Sequence, residues 1–194
     1  MAQPWPSFTW APRLSFDLDL FTPEEDLILP FSYGVERACA AVGLDVRVTR
    51  RFSSFVELVV SRQAESVRVD LAQDSPFRLG PPIESRHGVW VNDWQDLAVD
   101  KLLAYYGRSE PRDAIDLFFI LQSATLDTLL ELASQKDTGF DLYWFAVALN
   151  RAADLPDEAV RWPVKMLAAW DPPALKQTFQ LLALEMMARL TGKV

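Results

Sequence analysis

The chain has 194 residues, enough for one domain or two small ones, and half of them are hydrophobic, which excludes a disordered chain and predicts a packed core. A single cysteine, Cys39, excludes an internal disulfide framework and a cysteine-rich zinc site, and fits a reducing, cytoplasmic compartment. The net charge of −8 argues against non-specific nucleic-acid binding, although Arg47, Arg50 and Arg51, with Arg62 and Arg68, leave room for a local basic patch; the plain alternative is a solvated sheet edge.

The opening stretch MAQPWPSFTWAPRL has no basic start followed by an apolar run, so no secretory leader is expected. The continuous apolar run Leu117–Leu121 is too short to span a bilayer, and no membrane association is expected.

Taken in chain order, Ser15–Phe21 alternates strictly. Ser15, Asp17 and Asp19 fall on one side, Phe16, Leu18 and Leu20 on the other, which is the period of a strand. Thr22, Pro23 and the acids Glu24, Glu25 and Asp26 spell a helix start. Pro30 is expected to break or kink that helix, with Phe31–Val42 continuing it to Gly43. Strands are expected at Asp45–Thr49, Phe55–Ser61 and Ser66–Ala72, the last two joined by a hairpin at Gln63–Glu65. Ser75–Pro82 reads as a loop and Gly88–Val91 as a short strand.

Everything later reads as helical: Trp94–Tyr106 capped by Asn92 or Asp93, a helix opened by Pro111 or Arg112 and running to Gln122, then Leu126–Gln135, Phe140–Ala153 and Ala174–Leu190. The fold class is thus α/β (α+β), a mixed sheet with flanking helices followed by a C-terminal helical half. The expected division is an α/β core over 1–91 and a helical region over 92–194, packed together because no flexible linker separates them.

Asp17 and Asp19 are the sharpest chemical feature. Two residues apart on a strand, they point to one side, and two like charges there repel unless a cation or a basic group lies between them. A divalent ion such as Mg²⁺ meets that need, since it takes carboxylate oxygens and leaves positions for water and phosphate. A face of ordinary solvated acids is the bland alternative. Asp70 in Val67–Leu71 shares a side with Arg68, opposite the valines and Leu71, and a third carboxylate on a neighbouring strand would complete a metal site. Lys101 lies beside the apolar stripe Leu97, Leu102 and Leu103, where it can reach phosphate as a point charge; an ordinary surface lysine looks the same. Asp113 and Asp116 are spaced i, i+3 on one helix face, although acids in a first turn also simply complement the helix dipole. His87, the sole histidine, falls in a loop and reads as incidental; Cys39 reads as core, and the tryptophans form no stacking platform.

Several of these motifs, in this order, resemble the nucleotidyltransferases of the AbiEii/AbiGii abortive-infection toxin family. The family's active-site strand carries Arg-x-Ser-x-Asp-x-Asp-x-Phe, and Arg13, Ser15, Asp17, Asp19 and Phe21 match it. A further acid on a later strand is similar to Asp70, and a helix of the form Asp-Leu-Ala-x-x-Lys-Leu-x-Ala is similar to Asp96–Ala104 with Lys101. An Arg-x-x-x-Arg-Asp-x-x-Asp-Leu stretch is similar to Arg108, Arg112, Asp113, Asp116 and Leu117.

The resemblance implies a nucleotidyltransferase-like sheet and transfer of a nucleoside monophosphate from a nucleoside triphosphate to an RNA such as tRNA or to a protein hydroxyl. It implies Mg²⁺ or Mn²⁺ on Asp17, Asp19 and Asp70, with Asp70 completing the site or acting as base. Arg13, Ser15, Lys101, Arg112 and Asp113 would lie on the nucleotide, Asp113 and Asp116 would orient Lys101 or the acceptor, and a cognate antitoxin would be the partner. The family carries a helix and a Gly-Gly or Gly-Ser turn before this strand, whereas no glycine precedes Gly34 here and Pro6-Ser7 replaces it poorly. That departure implies either a gene start placed too late or a shortened homologue; the chain as given is expected to have very low or no transfer activity, or to be a catalytically inactive homologue serving as a binding or regulatory module.

Overall fold

The computed structural model describes residues 12–85 and 87–192; the proline-bearing stretch in which a glycine turn was sought, Pro6-Ser7, lies outside them. Contacts divide the chain into two compact units, one spanning 15–77 and the other 78–194 together with the N-terminal residues up to Leu14.

In the first unit the alternation at Asp17 produces β1 (Asp17–Thr22), followed by α1 (Glu25–Ala41), β2 (Asp45–Arg51), β3 (Phe55–Arg62) and β4 (Glu65–Gln73). The sheet order is β1-β4-β3-β2, with β1 parallel to β4 and the other neighbours antiparallel. On one face Val56, Leu58, Val60, Val69 and Leu71 are buried with Ile28 of α1, and Leu29, Val35 and Cys39 pack around them. Cys39 is therefore a packing residue, as its alanine-rich surroundings predict. The opposite parity, Asp17, Asp19, Glu57, Arg68 and Asp70, is thereby directed to the other face.

Two local expectations change. α1 is capped by Glu24 and starts two residues later than Thr22 and Pro23 suggest, because Thr22 stays in β1, where its carbonyl accepts from the Asp74 N–H at 3.0 Å. The helix also runs unbroken through Pro30. Both Pro30 and Asp26, whose carbonyl loses its donor, are exposed, so water can satisfy that carbonyl. The hairpin at Gln63 and Ala64 is as expected, with Gln63 taking the positive φ of 54° that a tight two-residue turn requires.

The second unit opens with the short ladder β5 (Ile83–Glu84) and β6 (Trp90–Val91), on the N-terminal side of position 92, where the sequence turns helical. Then follow α2 (Trp94–Arg108), α3 (Pro111–Ile120), α4 (Leu126–Lys136), α5 (Leu142–Asn150) and α6 (Pro172–Leu190). Their core is Leu102, Tyr105, Ile115, Leu117, Ile120, Leu129, Phe145, Leu149, Leu175 and Phe179. Tyr105 meets Phe179 edge to face at 5.2 Å, and its buried hydroxyl donates to the Ala148 carbonyl at 2.9 Å.

Not all of this half is helical. Residues 155–171 are irregular apart from a short 3₁₀ turn, and Arg13 forms a β-bridge with Met166, flanked by Leu14 N–H to Lys165 O at 2.8 Å and Leu167 N–H to Pro12 O at 2.9 Å. Pro156 and Pro163 remove backbone donors there, and side chains take over the carbonyls: Trp162 Nε1 donates to Pro156 O and Lys176 Nζ to Leu155 O, both at 2.8 Å.

The start of α2 is fixed by one tight contact. Asp93 caps the helix, its Oδ1 accepting from the Asp96 N–H at 2.8 Å, and Gly80 packs so close that a Cβ there would lie 2.0 Å from Asp93 Oδ2. Gly80→Ala must turn the cap aside, at a cost of about 1–2 kcal/mol, or a few degrees in Tm for a chain of this size. In an Asp93→Ala background the same change is expected to cost close to nothing, because its collision partner is gone. Thermal unfolding of the double-mutant cycle checks this; additive losses would show that the strain lies elsewhere.

Candidate active site

The open face of the first unit carries its charges in rows set by strand register. Asp17 stands opposite Arg68, then Val59 and Arg47; Asp19 stands opposite Asp70, then Glu57 and Arg50. Asp17 and Asp19 thus share one side of β1, with Asp70 on the adjacent strand, as the sequence predicts. Like charges directly opposite on a sheet are destabilising, and the structure answers them with Arg68. Its Nη2 lies 3.0 Å from Asp17 Oδ2 and its Nε 3.4 Å from Asp70 Oδ1. Ser15, exposed before β1, donates its hydroxyl to the Asp17 carboxylate. Thr49 donates to the Glu57 carboxylate and, at 3.1 Å, to its carbonyl.

Asp70 responds to this setting. Burial pushes its carboxyl above the ordinary value of 3.8, Arg68 pulls it down, and Asp19, Glu57 and Asp17 push it up again, for a net rise. In donor type the array suits a hard cation, since it offers carboxylate oxygens alone. In position it is closed by the guanidinium: among the described residues no three acidic, histidine or cysteine side chains converge on a common point as metal ligands must.

In the second unit, Asp116 on α3 is buried, with its side chain 3% exposed, and it gathers two cations. Arg13 meets it in a fork, Nε to Oδ1 at 2.9 Å and Nη2 to Oδ2 at 2.8 Å, and Lys101 of α2 places Nζ 2.9 Å from Oδ2. One carboxylate against two cations leaves a positive surplus. Asp113, one turn earlier, does not join this group. It is held by Arg108, Nε to Oδ2 at 2.6 Å and Nη2 to Oδ1 at 2.8 Å, while Arg112 pairs with Glu110 at 2.9 Å. His87 lies exposed between β5 and β6, its N–H donating to Ser85 Oγ at 3.3 Å.

Sequence reasoning missed the roles of four residues, Asp96, Lys136, Glu57 and Arg68. Asp96 has no exposed surface; it accepts from Lys136 Nζ at 2.6 Å and from the Leu79 and Gly80 N–H groups at 2.9 and 3.1 Å. Burial alone would raise its carboxyl, but Lys136 and the two amides together hold it below 3.8. Lys136 also reaches Asp100 at 2.6 Å. Glu57 and Arg68 had a readable signal in strand parity; Lys136, forty residues from Asp96, had none.

Comparison with solved structures identifies the fold. A crystal structure of a protein from H. pylori, provisionally assigned as a nucleotidyltransferase, matches with a TM-score of 0.56 and 16% identity over 94% of this chain and 82% of that one. MenT4, a nucleotidyltransferase toxin from Mycobacterium tuberculosis H37Rv, matches with a TM-score of 0.52 and 16% identity over 90% of this chain and 69% of that one. No family model matches the sequence, and no curated protein does. At this identity the likeness establishes the fold: a four-stranded mixed sheet with helices, of the nucleotidyltransferase kind.

The two perturbed aspartates predict opposite pH behaviour. For Asp70 the folded value lies above the unfolded one, so its contribution to stability is full below about pH 3.8 and lost as the pH rises through the folded value. Asp70→Asn is therefore expected to raise the Tm at neutral pH, with the gain vanishing towards pH 3.8. For Asp96 the folded value is depressed, so its contribution is present above 3.8 and lost as the pH falls through the folded value. Asp96→Asn should lower the Tm at neutral pH, with the deficit closing only in strong acid. Melting curves from pH 3 to 8 check both, and parallel curves for either variant would refute the assignment.

Proposed function

We propose that the chain is a toxin-type nucleotidyltransferase that moves a nucleoside monophosphate from a nucleoside triphosphate to a hydroxyl of an RNA such as tRNA or of a protein. The observation that carries this reading is the shared face of Asp17, Asp19 and Asp70 across the parallel β1–β4 pair of a nucleotidyltransferase fold. The toxin neighbour supports the biological class; a cognate antitoxin and a cytoplasmic setting are part of the same proposal. No helix among the described residues is long and apolar enough to cross a membrane.

In this reading Asp17, Asp19 and Asp70 hold Mg²⁺ or Mn²⁺ once Arg68 is displaced. The ion supplies neutralisation of charge on the transferring phosphate. The new bond would join the acceptor oxygen to the α-phosphorus, the bond to pyrophosphate would break, and the acceptor's proton would pass to a carboxylate, Asp70 where it acts as base instead of completing the metal site. In the second unit, taken by itself, Asp116 orients Arg13 and Lys101 and neutralises only one of the two charges, so this pair suits phosphate oxygens. Ser15 steadies Asp17; Asp113 and Arg112 are engaged by Arg108 and Glu110 and carry no role in this reading.

A second reading, an inactive homologue that binds nucleotide without transfer, is favoured by the guanidinium lying among the carboxylates. Incubation with each α-labelled nucleoside triphosphate, Mg²⁺ or Mn²⁺, and total tRNA or protein separates the two. Slow label transfer is expected, falling at least about a hundredfold in Asp19→Ala, the order of loss seen when one charge-stabilising group is removed. Nucleotide binding with no transfer would establish the second reading, and transfer unaffected by Asp19→Ala would remove the site assignment.

A further inference from the structure

We propose that Arg68 is a resident cation that competes with the divalent metal for Asp17 and Asp70, so that the metal-free protein is held shut by its own side chain. The inference rests on the nucleotidyltransferase reading of this face and adds to it a residue that sets the metal affinity.

The position of Arg68 is dictated by register. It stands directly opposite Asp17 in the parallel β1–β4 pair and two residues before Asp70 on β4, so one guanidinium has a carboxylate across the strand gap and another along its own strand. On its other side, β3 offers Val59, which gives the guanidinium no polar partner in that row. The side chain accordingly turns into the acids, 3.0 Å from Asp17 and 3.4 Å from Asp70. It is 41% exposed, whereas the carboxylates it holds are 22% and 17% exposed, so it caps the acids from the solvent side. The oxygens it engages, Asp17 Oδ2 and Asp70 Oδ1, belong to the two carboxylates that must turn towards a shared ion.

While they face the guanidinium, no three ligands converge among the described residues. Metal binds only the fraction of molecules in which Arg68 has swung away, and the apparent dissociation constant is the intrinsic one divided by that fraction. Two ion pairs on partly exposed groups are individually weak, so the latch is easily opened rather than permanent.

The test measures Mn²⁺ binding from the free-ion paramagnetic resonance signal, using the full chain without nucleotide. Arg68→Gln removes the competing charge and is expected to bind Mn²⁺ about tenfold or more tighter than the wild type. Arg62→Gln, an equal change of net charge at another arginine of the same sheet, is expected to stay within about twofold, which separates release of the ligands from general electrostatics. Adding Asp19→Asn to Arg68→Gln should abolish the gain. Arg68→Lys keeps the charge but loses the Nη2 hydrogen bond to Asp17, and is expected to fall between wild type and Arg68→Gln; it also serves if Arg68→Gln does not fold. Arg68→Gln binding no tighter than Arg62→Gln, or Arg68→Lys no tighter than wild type, would overturn the competition and leave the transfer reading standing. Absence of Mn²⁺ binding in every variant would overturn both. Tighter Mn²⁺ binding with no label transfer would uphold the role of Arg68 and refute the enzyme.

Discussion

Carboxylates that share a sheet face cannot be left uncompensated, and the first unit is arranged around that constraint. The apolar parity of β3 and β4 buries Val56, Leu58, Val60, Val69 and Leu71 against α1, and this burial is what fixes the register. Once the register is fixed, Asp19, Asp70 and Glu57 stand in one row whether or not their charges favour it. Hydrophobic packing therefore holds the acids together, and burial first, then the neighbouring Asp19, Glu57 and Asp17, pushes the Asp70 carboxyl upward. Arg68 offsets part of that push.

The second unit treats its acids differently. Asp96, Asp113 and Asp116 are buried in a helical core, where an unpaired charge would be far more costly than on a sheet face, and each has a cation in contact. The partners come from different distances along the chain. Arg108 is local to Asp113, Lys101 comes from the neighbouring helix α2, and Arg13 arrives on the segment bridged to Met166. Asp96 is a structural lock, since its oxygens tie together the Leu79–Gly80 turn, Lys136 at the end of α4 and the start of α2. Asp116 is unlike the other two in holding more positive charge than it neutralises.

Period and parity explain what could be read from the amino-acid sequence. The strands, the hairpin at Gln63, the helices after Trp94 and the common side of Asp17, Asp19 and Asp70 all follow from local alternation, turn chemistry and capping, which a linear sequence carries. The same alternation assigned Arg68 to the side of Asp70. It could not pair β1 with β4 in parallel, so Arg68 could not be seen to meet Asp17. Pro30 misled because proline was weighed as a helix breaker without knowing that its turn is exposed to water. Lys136 with Asp96, and Arg13 with Asp116, were invisible for a plainer reason: ion pairs 40 and 103 residues apart leave no periodic trace.

The two kinds of charge cluster bear on function in complementary ways. Structural ion pairs are closed: Lys136 is bound by Asp96 and Asp100 and buried, and the Asp96 carboxyl is held low and satisfied. The remaining clusters are not closed. Around Asp70 a carboxyl is pushed up by burial and by neighbouring acids, and at Asp116 a buried acid collects two cations where one would balance it. A protein shaped by stability alone would exchange such imbalances for packed apolar groups, which cost less. Each imbalance, taken by itself, has a counterpart in the chemistry of a metal-bound nucleoside triphosphate: the divalent ion for the acids, the phosphates for Arg13 and Lys101. The charge left uncompensated, more than the fold, is what the proposed polyphosphate chemistry rests on.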